Sequence, residues 1–314
     1  MDKKVYTRGL AGQCWYNFTE SLAFALLYRP TPKELTYLPK VYYGQEKKQY
    51  INIYYPTALE NKKKPLFIYV HGGGWISGIT EMRNTYISNW AKLGFFTASV
   101  SYTPAPQKEY PCQIKEIFSA IDFLFDNKEK CGIDTENIVL AGESAGGYFI
   151  SYIAAAMADK TVLDRQGIEF CHYDDFALKA MVFHSGCYNL EKLIDPKNPQ
   201  SKFPDIKMMV STFVGKSRKE TVQWLKTEEG KLATPKISEA FPPMFIGWTT
   251  RDWLRYEAFD LMKELDKYGV PYKQFKGDGI IGNHAWTIVT VFKKGKKCFE
   301  ESKDFVTKYL PEYF

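Results

Sequence analysis

The pentapeptide Gly142-Glu143-Ser144-Ala145-Gly146 places a serine between two glycines, at the junction of a predicted strand and a predicted helix. A serine hydroxyl is a weak nucleophile until the backbone exposes it and a neighbouring base takes its proton. With no Cβ at 142 or 146, a strand can turn sharply into a helix and leave Ser144 at the tip. The helix N-terminus then directs the backbone N–H of Ala145 towards any oxyanion formed there. A glycine-rich turn without chemistry is the alternative that this pentapeptide alone leaves open.

A second glycine-rich motif, HGGGW at 71–75, follows the apolar run 66–70, which predicts a buried strand. Three successive glycines leave several backbone N–H groups free to point in one direction, as an oxyanion hole requires. We expect the N–H groups of Gly73 and Gly74 to join that of Ala145. A flexible turn is one alternative, and a phosphate-binding loop is another, but the G-x-G-x-x-G and Lys-Ser/Thr patterns are absent. The two motifs together indicate a serine hydrolase.

The acid and the base of such a site are expected after the serine, in that order. Asp252 follows the apolar run 244–248, so its carboxylate lies just past the C-terminal end of a predicted strand. A carboxylate at that position can reach a histidine ring and hold its tautomer. On sequence position alone, Asp260 and Asp278 are alternative acids.

Of the four histidines, His284 alone lies downstream of Asp252 in a loop that follows a predicted strand. His71 belongs to the glycine motif, and His172 lies in a predicted loop. His184 ends a strand-like apolar run, where a packed core or pocket-wall position is the preferred interpretation. We therefore expect His284 to be the base, with an ordinary surface histidine as the alternative.

These motifs resemble those of the hormone-sensitive-lipase-like carboxylesterases of the α/β-hydrolase fold. The resemblance covers about 65–300 and rests on HGGGW at 71–75 and GESAGG at 142–147. The segment 252–257 is similar to the family's D-P-L-x-D-E, and 284–286 is similar to its H-x-F.

The resemblance implies a catalytic triad and an oxyanion hole: the nucleophile Ser144, the acid Asp252, the base His284, and the N–H groups of Gly73, Gly74 and Ala145. It implies hydrolysis of small-molecule carboxylic esters through an acyl-enzyme, with no cofactor and no metal. Trp253 departs from the family's proline, and 187–240 does not align.

Predicted strands alternate with predicted helices along the chain. The strands are expected in a hairpin at 40–56 and at 66–70, 95–102, 138–142, 180–185, 244–249 and 271–276, and the helices at 114–126, 146–158, 256–268 and 299–309. This alternation indicates a mostly parallel sheet flanked by helices, with its chemistry at the carboxyl ends of the strands. We predict a single α/β-hydrolase domain over 1–314. The N-terminal segment 1–40 and an insertion at 187–240 are expected to form a cap over the pocket.

Composition narrows the function classes. With 45% hydrophobic and 25% charged residues and a net charge of +6, the chain is typical of an ordinary globular protein. The lysines at 62–64 and 293–297 lack interleaved aromatic residues, so they predict solvated surface and no nucleic-acid partner. Six cysteines without a C-x-x-C pair indicate reduced, mostly buried thiols and a cytoplasmic location.

The N-terminal region has no signal-peptide pattern and no apolar stretch long enough for stable membrane insertion. The segment 15–28 instead predicts an amphipathic helix that covers the mouth of the site or docks on the domain. A membrane-surface role for this helix is the alternative.

Large side chains beside the motifs suggest the substrate. Trp75, Tyr148 and Trp286 are expected to line the pocket and to restrict it to acyl chains of about two to four carbons. Packing in the core is the alternative for each of them. Amidase or formamidase chemistry on the same triad, an interfacial lipase and a non-catalytic binding module are the rival functions. A homo-oligomer is left open.

Overall fold

In the computed structural model, which describes residues 1–278 and 283–314, eight strands form one sheet. In chain order they are β1 (Leu35–Tyr42), β2 (Tyr50–Pro56), β3 (Lys64–Val70), β4 (Phe96–Val100), β5 (Ile133–Glu143), β6 (Leu178–His184), β7 (Met244–Thr249) and β8 (Tyr272–Gly277). Their order in the sheet is β1-β2-β4-β3-β5-β6-β7-β8. The pairs β1–β2 and β2–β4 are antiparallel, and every other neighbouring pair is parallel.

The described residues also form twelve α-helices. They are α1 (Lys3–Leu27), α2 (Asn84–Lys92), α3 (Cys112–Asp126), α4 (Lys128–Cys131), α5 (Ala145–Ala158), α6 (Thr161–Gln166), α7 (Leu190–Ile194), α8 (Ile206–Val214), α9 (Arg218–Trp224), α10 (Glu228–Lys231), α11 (Arg255–Tyr268) and α12 (Lys293–Val306).

Helices cover both faces of the sheet, and the sequence of the central strands reflects this. Strand β3 is buried along its whole length, and its successive residues Phe67 and Ile68 enter two separate apolar clusters. The cluster around Ile68 includes α3, α5 and α11, and the cluster around Phe67 includes α2 and α12. A parallel strand covered on both faces is an uninterrupted apolar run, which is why β3, β5 and β7 could be predicted from composition.

The predicted alternation of strands and helices is confirmed, with shifted boundaries. The first hairpin begins at Leu35, five residues before its predicted start. Helix α12 begins at Lys293 because Cys298 and Phe299 form its buried side while the preceding lysines remain in solvent. The lysine cluster at 293–297 therefore lies in the first turns of α12, and its four lysines are exposed as predicted.

The two regions predicted to form a cap are largely helical. The insertion at 187–240 contains α7 to α10, and α1 packs against α8. Helix α1 is longer than predicted and is not amphipathic, because Trp15 and Phe18 on its outer side are exposed. None of the described helices is both long enough and apolar enough to cross a membrane.

The six cysteines are all free thiols. The expectation that most of them are buried is wrong: Cys187 and Cys298 are buried, whereas Cys14 and Cys171 are exposed. The other two, Cys112 and Cys131, are half-buried.

Lys64 is another correction, since the structure buries it completely instead of leaving it in a solvated loop. Its Nζ donates hydrogen bonds to the carbonyl oxygens of Leu59, Glu60 and Lys62, which closes the turn before β3. Burial lowers the pKa of the Lys64 ammonium. The lysine therefore donates to three carbonyl oxygens of the turn, and the carbonyl of Leu59 also accepts from the backbone N–H of Lys62.

Lys64→Met is expected to destabilise the protein by about 1.5–3 kcal/mol, because the buried lysine side chain no longer carries the charged donor for these three carbonyl oxygens. Lys62→Met, at an exposed side chain two residues away, is the matched control and is expected to change the free energy of unfolding by less than about 0.5 kcal/mol. Urea unfolding of both variants measures the difference. Equal stabilities would contradict the structural role of the Lys64 ammonium.

Candidate active site

Ser144 lies in a strained turn between β5 and α5. Its φ of 54° is unusual for a residue with a side chain and directs the hydroxyl away from the strand. A Cβ on Gly142 would come within 2.6 Å of the backbone of Gly146, and a Cβ on Gly146 would come within 2.0 Å of the carbonyl oxygen of Val70. A side chain at either position would clash with the backbone, so both positions require glycine. The N–H of Ser144 donates to the carbonyl of His184, which fixes the turn against β6.

The structure brings Ser144, His284 and Asp252 together in a hydrogen-bonded row. His284 Nε2 lies 2.9 Å from Ser144 Oγ, and His284 Nδ1 lies 2.8 Å from Asp252 Oδ2. An ionised carboxylate can only accept, so Nδ1 carries the proton and Nε2 is left to accept from the serine hydroxyl. Asp252 also accepts from the backbone N–H of Leu254 at 2.8 Å, which fixes the carboxylate.

The electrostatics of this row favour an ionised acid and a basic imidazole. Burial opposes both charges, but the charge of His284 and its hydrogen bond hold the pKa of Asp252 below its ordinary value. In the same way, burial works against protonation of His284, while the Asp252 charge and hydrogen bond raise the pKa of the ring. The lowered pKa of Asp252 and the raised pKa of His284 are consistent, since each group stabilises the charged form of the other.

The other histidines are occupied elsewhere. Burial lowers the pKa of His71 to about 4 and that of His184 to about 3, so both rings are neutral near pH 7. His184 Nε2 lies 3.0 Å from the hydroxyl of Tyr86, and the His71 ring stacks on Tyr102. His172 pairs with Asp126 at the surface.

The alternative acids are also occupied elsewhere. Asp260 forms an ion pair with Lys192 at 2.8 Å, and Asp278 is exposed and lies 3.6 Å from Lys276. Neither carboxylate has His284 among its partners.

The glycine loop after β3 contains three successive residues with positive φ, a conformation that glycine adopts readily. Gly73, Gly74 and Trp75 all have positive φ, at 118°, 59° and 64°. The carbonyl oxygen of Gly73 accepts from the N–H groups of Ile76 and Ser77, which close the loop into a compact turn. Gly73 and Gly74 line the same cavity as Ser144. Ala145 is buried at the first position of α5, directly beside Ser144, and is not one of the lining residues.

The cavity at Ser144 has a volume of about 110 Å³ and is lined in part by both regions predicted to form a cap. Helix α1 contributes Tyr16 and Glu20, and the insertion contributes Phe203 and Met209. The ring of Phe203 lies 5.2 Å from the ring of His284, centre to centre. Residues from 1–40 and 187–240 therefore line the cavity in which Ser144 and His284 lie.

Of the three aromatic residues expected in the pocket, only Trp75 lines it. Tyr148 is buried in the core, where its edge meets Trp75 and its hydroxyl donates to the carbonyl of Ala233 at 2.7 Å. Trp286 stacks on Phe292, with the ring centres 4.7 Å apart, and is absent from the lining of the Ser144 cavity. The predictions for Tyr148 and Trp286 are corrected on these grounds.

Sequence reasoning missed a charged network behind the nucleophile. Glu143 is fully buried, accepts from Arg83 Nε at 2.6 Å and also accepts from the hydroxyl of Tyr69. Arg83 and Glu20 both line the cavity. Burial raises the pKa of Glu20, although the nearby Arg83 charge counteracts part of that rise. In the sequence, Glu143 could have been noticed as an acidic residue inside the pentapeptide 142–146, whereas no local motif marks Arg83.

Glu257, in the segment similar to D-P-L-x-D-E, is also completely buried. It accepts from the backbone N–H groups of Tyr188 and Asn189 and from the side chain of Gln200. Burial raises the pKa of this carboxyl to about 7. Glu257 therefore ties the beginning of the insertion to the helix that follows Asp252.

No three of the described His, Cys, Asp and Glu side chains cluster as metal ligands do. The arrangement at Ser144 instead provides a nucleophile, a base and an orienting acid within hydrogen-bond distance of one another, which is the geometry of acyl transfer.

Comparison with known proteins agrees with this chemistry. An esterase of Gibberella moniliformis is 26% identical over 248 residues, which are 78% of this chain and 74% of that protein. Hormone-sensitive lipase of Mus musculus is 33% identical over 87 residues, 27% of this chain and 12% of the lipase. The chain thus spans only a small part of that longer relative. Esterase B from Lactobacillus Rhamnosis superposes with a TM-score of 0.83 at 18% identity, over 99% of this chain and 96% of that one.

The resemblance deduced from the motifs is therefore confirmed, as is the α/β-hydrolase fold. A family model described as BD-FAE matches residues 51–255. This range is more than half of the chain and includes the glycine loop, the pentapeptide around Ser144 and Asp252. The chain belongs to the BD-FAE family of α/β-hydrolases.

Proposed function

We propose that the protein is a serine carboxylesterase that hydrolyses short-chain acyl esters through an acyl-enzyme. The observation that carries the proposal is the position of His284, which lies within 2.9 Å of both Ser144 Oγ and Asp252 Oδ2. The strained backbone at Ser144 supports it, because such strain is characteristic of residues that react.

In the first half-reaction, Ser144 Oγ attacks the ester carbonyl carbon while His284 Nε2 takes the hydroxyl proton. Asp252 stabilises the imidazolium that results. The carbonyl oxygen becomes an oxyanion, for which Gly73, Gly74 and Ala145 supply the backbone donors. When the tetrahedral intermediate collapses, the bond to the alcohol oxygen breaks and His284 returns the proton to that oxygen.

In the second half-reaction, water replaces the alcohol in the site. His284 takes a proton from the water, the remaining hydroxide attacks the acyl carbon, and the carboxylic acid leaves as Ser144 regains its proton. Every proton in the cycle moves through His284, so the cycle is complete without a cofactor.

The preference for short acyl chains is supported by the small cavity. Its volume of about 110 Å³ is well below the roughly 300–1,000 Å³ of sites for drug-sized ligands. Trp75, Phe203 and Met209 narrow it, and the sulfur of Met209 lies so close to Gly74 that a Cβ there would clash with it. Esterase B, which shares the fold, has been solved with a C4-C4 SN3 tributyrin phosphonate. We assign the roof of this pocket to a cap made of 1–40 and 187–240 on a single domain.

Ser144→Ala is expected to abolish covalent labelling by a fluorophosphonate probe and to lower kcat for an acetate ester about a million-fold, because the nucleophile is removed. The matched control is Ser151→Ala, which changes a buried serine of α5, the helix that follows Ser144. The Ser151 hydroxyl has no hydrogen-bond partner among the described residues, and this variant is expected to label as the wild type does. Stoichiometric labelling of Ser144→Ala would show that another residue is the nucleophile.

Asp252→Asn is expected to fold normally and to lose about 10⁴-fold in kcat, because an amide stabilises the wrong imidazole tautomer. In the wild type the rate is expected to rise with pH through an apparent pKa above the ordinary imidazole value, since the His284 pKa is raised and the neutral ring is the active form. In Asp252→Asn this midpoint should move to lower pH. Asp278→Asn is the control, and a larger loss in that variant would contradict the assignment.

For 4-nitrophenyl esters from acetate to dodecanoate, kcat/KM is expected to be highest at acetate to butyrate and to fall step by step, each further methylene costing about 1 kcal/mol or more. Met209→Ala is expected to move the optimum to longer chains because it enlarges the cavity beside Gly74. Leu225→Ala, at a buried residue outside the cavity lining, is the control for general loosening. A wild-type optimum at octanoate or beyond would contradict the short pocket.

A further inference from the structure

The inner face of helix α1 packs on the protein. A Cβ on Gly9 would come within 2.3 Å of Thr212, and a Cβ on Gly12 within 2.6 Å of Met208. These glycines let α1 lie directly on α8. Further along the same face, Tyr16 donates a hydrogen bond to Asp205 at 3.0 Å.

The outer face carries a continuous stripe at alternating spacings of four and three residues. Its members are Lys4, Arg8, Ala11, Trp15, Phe18 and Leu22. The exposed fractions of Trp15, Phe18 and Leu22 are 61%, 65% and 60%. The solvent side of a surface helix is ordinarily polar, so three large apolar side chains in one line there indicate an apolar contact outside the chain.

The stripe begins with two cations that belong to a larger basic site. Lys4, Arg8, Lys207 and Arg218 line a cavity of about 300 Å³ between the start of α1 and the helices α8 and α9. None of the four forms an ion pair with a carboxylate in the described parts of the chain. Asp2 also lines the cavity, but its carboxylate accepts from the backbone N–H groups at the start of α1.

A buried hydroxyl in the wall of this cavity is without a partner. Ser211 is 6% exposed, and its Oγ has no hydrogen-bond partner among the described residues. Four unpaired cations and an unused hydroxyl around one cavity suit an anionic oxygen ligand such as a phosphate group.

We propose that the outer stripe of α1 binds the surface of an anionic lipid bilayer. Trp15, Phe18 and Leu22 enter the boundary between headgroups and acyl chains, and the basic cavity receives a headgroup phosphate. Exposed tryptophan and phenylalanine side chains can enter this interface, while the neighbouring lysine and arginine reach the anionic headgroups. The binding is reversible adsorption of one face, which needs no membrane-spanning helix.

A second copy of the chain fits this stripe less well. If two α1 helices paired in opposite directions, Lys4 and Arg8 would face Leu22 of the other copy, and in the same direction they would face like charges. The stripe contains no acidic residue that could pair with them. An anionic lipid surface supplies both the apolar layer and the negative charge.

Helix α1, which carries the stripe, also borders the cavity at Ser144. The inner side of α1 provides Tyr16 and Glu20 to the cavity at Ser144, so the adsorbing surface covers the reacting atoms. Esters dissolved in or released from a bilayer would meet the protein at the mouth of its site. The binding itself does not rest on the proposed esterase activity, because it can be measured on Ser144→Ala.

Co-sedimentation with vesicles tests the proposal. Full-length Ser144→Ala is expected to bind vesicles of phosphatidylcholine mixed with phosphatidylglycerol about tenfold or more tighter than vesicles of phosphatidylcholine alone, with the difference reduced by salt. Inorganic phosphate is expected to compete no better than sodium chloride of equal ionic strength. Selective displacement by inorganic phosphate would instead show a site for the free anion and overturn the proposal.

Two double variants locate the binding surface. Trp15→Ser with Phe18→Ser, and Lys4→Gln with Arg8→Gln, are each expected to weaken binding to anionic vesicles about tenfold or more. The matched controls are Tyr42→Ser, at an exposed aromatic residue on β1, and Lys293→Gln with Lys294→Gln, at two exposed lysines of α12. Both controls are expected to bind as the parent protein does.

Circular dichroism checks that each variant is folded, and Phe18→Glu replaces the double apolar variant if that one does not fold. Unchanged vesicle binding in the folded α1 variants would overturn the proposal. It would also be overturned if the parent protein did not bind anionic vesicles, or if the α1 variants changed only self-association in analytical ultracentrifugation.

Discussion

The close approach of Gly146 to the carbonyl of Val70 is the constraint on which the site depends. A Cβ at 146 would lie 2.0 Å from that oxygen, so any other residue would push α5 away from β3. Val70 is the last residue of β3 and pairs in register with Gly142 of β5. The glycine loop and the serine turn therefore emerge from neighbouring strand ends, and one packing contact brings the glycine loop beside Ser144. The strain at Ser144 is maintained because the sheet on one side and α5 on the other leave the turn no relaxed alternative.

Charge balance around that turn is the second requirement. Two buried carboxylates flank the nucleophile, Glu143 immediately before it in sequence and Asp252 behind His284. Each has a specific cationic or ionisable partner, Arg83 for the first and His284 for the second. Truncating one partner of a buried pair leaves the other charge unpaired and costs roughly 3–5 kcal/mol. Arg83 is thus better explained by the buried charge of Glu143 than by substrate recognition, even though it also borders the cavity.

The sequence was sufficient for the sheet, the grouping of Ser144, Asp252 and His284, and the glycine loop, because each is encoded locally, by an apolar run followed by a short motif at a strand end. Apart from Trp75, which belongs to the glycine motif, the aromatic residues of the pocket were not encoded in this way. Tyr148 lies four residues after Ser144, yet its side chain is buried in the core, and sequence distance from a motif does not tell in which direction a helical side chain points. Arg83, Glu20 and Phe203 reach the site from distant segments. Lys64 was misjudged because a lysine run predicts solvent exposure, whereas the turn before β3 needed a donor.

Helix α1 shows why composition alone could not define the cap. An amphipathic pattern was expected there, but the inner face is fixed largely by polar contacts: Gln13 Nε2 donates to the carbonyl oxygens of Ile76 and Ala105, and Tyr16 to Asp205. Such bonds are directional and anchor the helix to the segment after the glycine loop without a broad apolar seam. The apolar residues left on the outer face therefore contribute little to holding α1 in place. The inner face of α1, in contrast, provides Tyr16 and Glu20 to the cavity at Ser144.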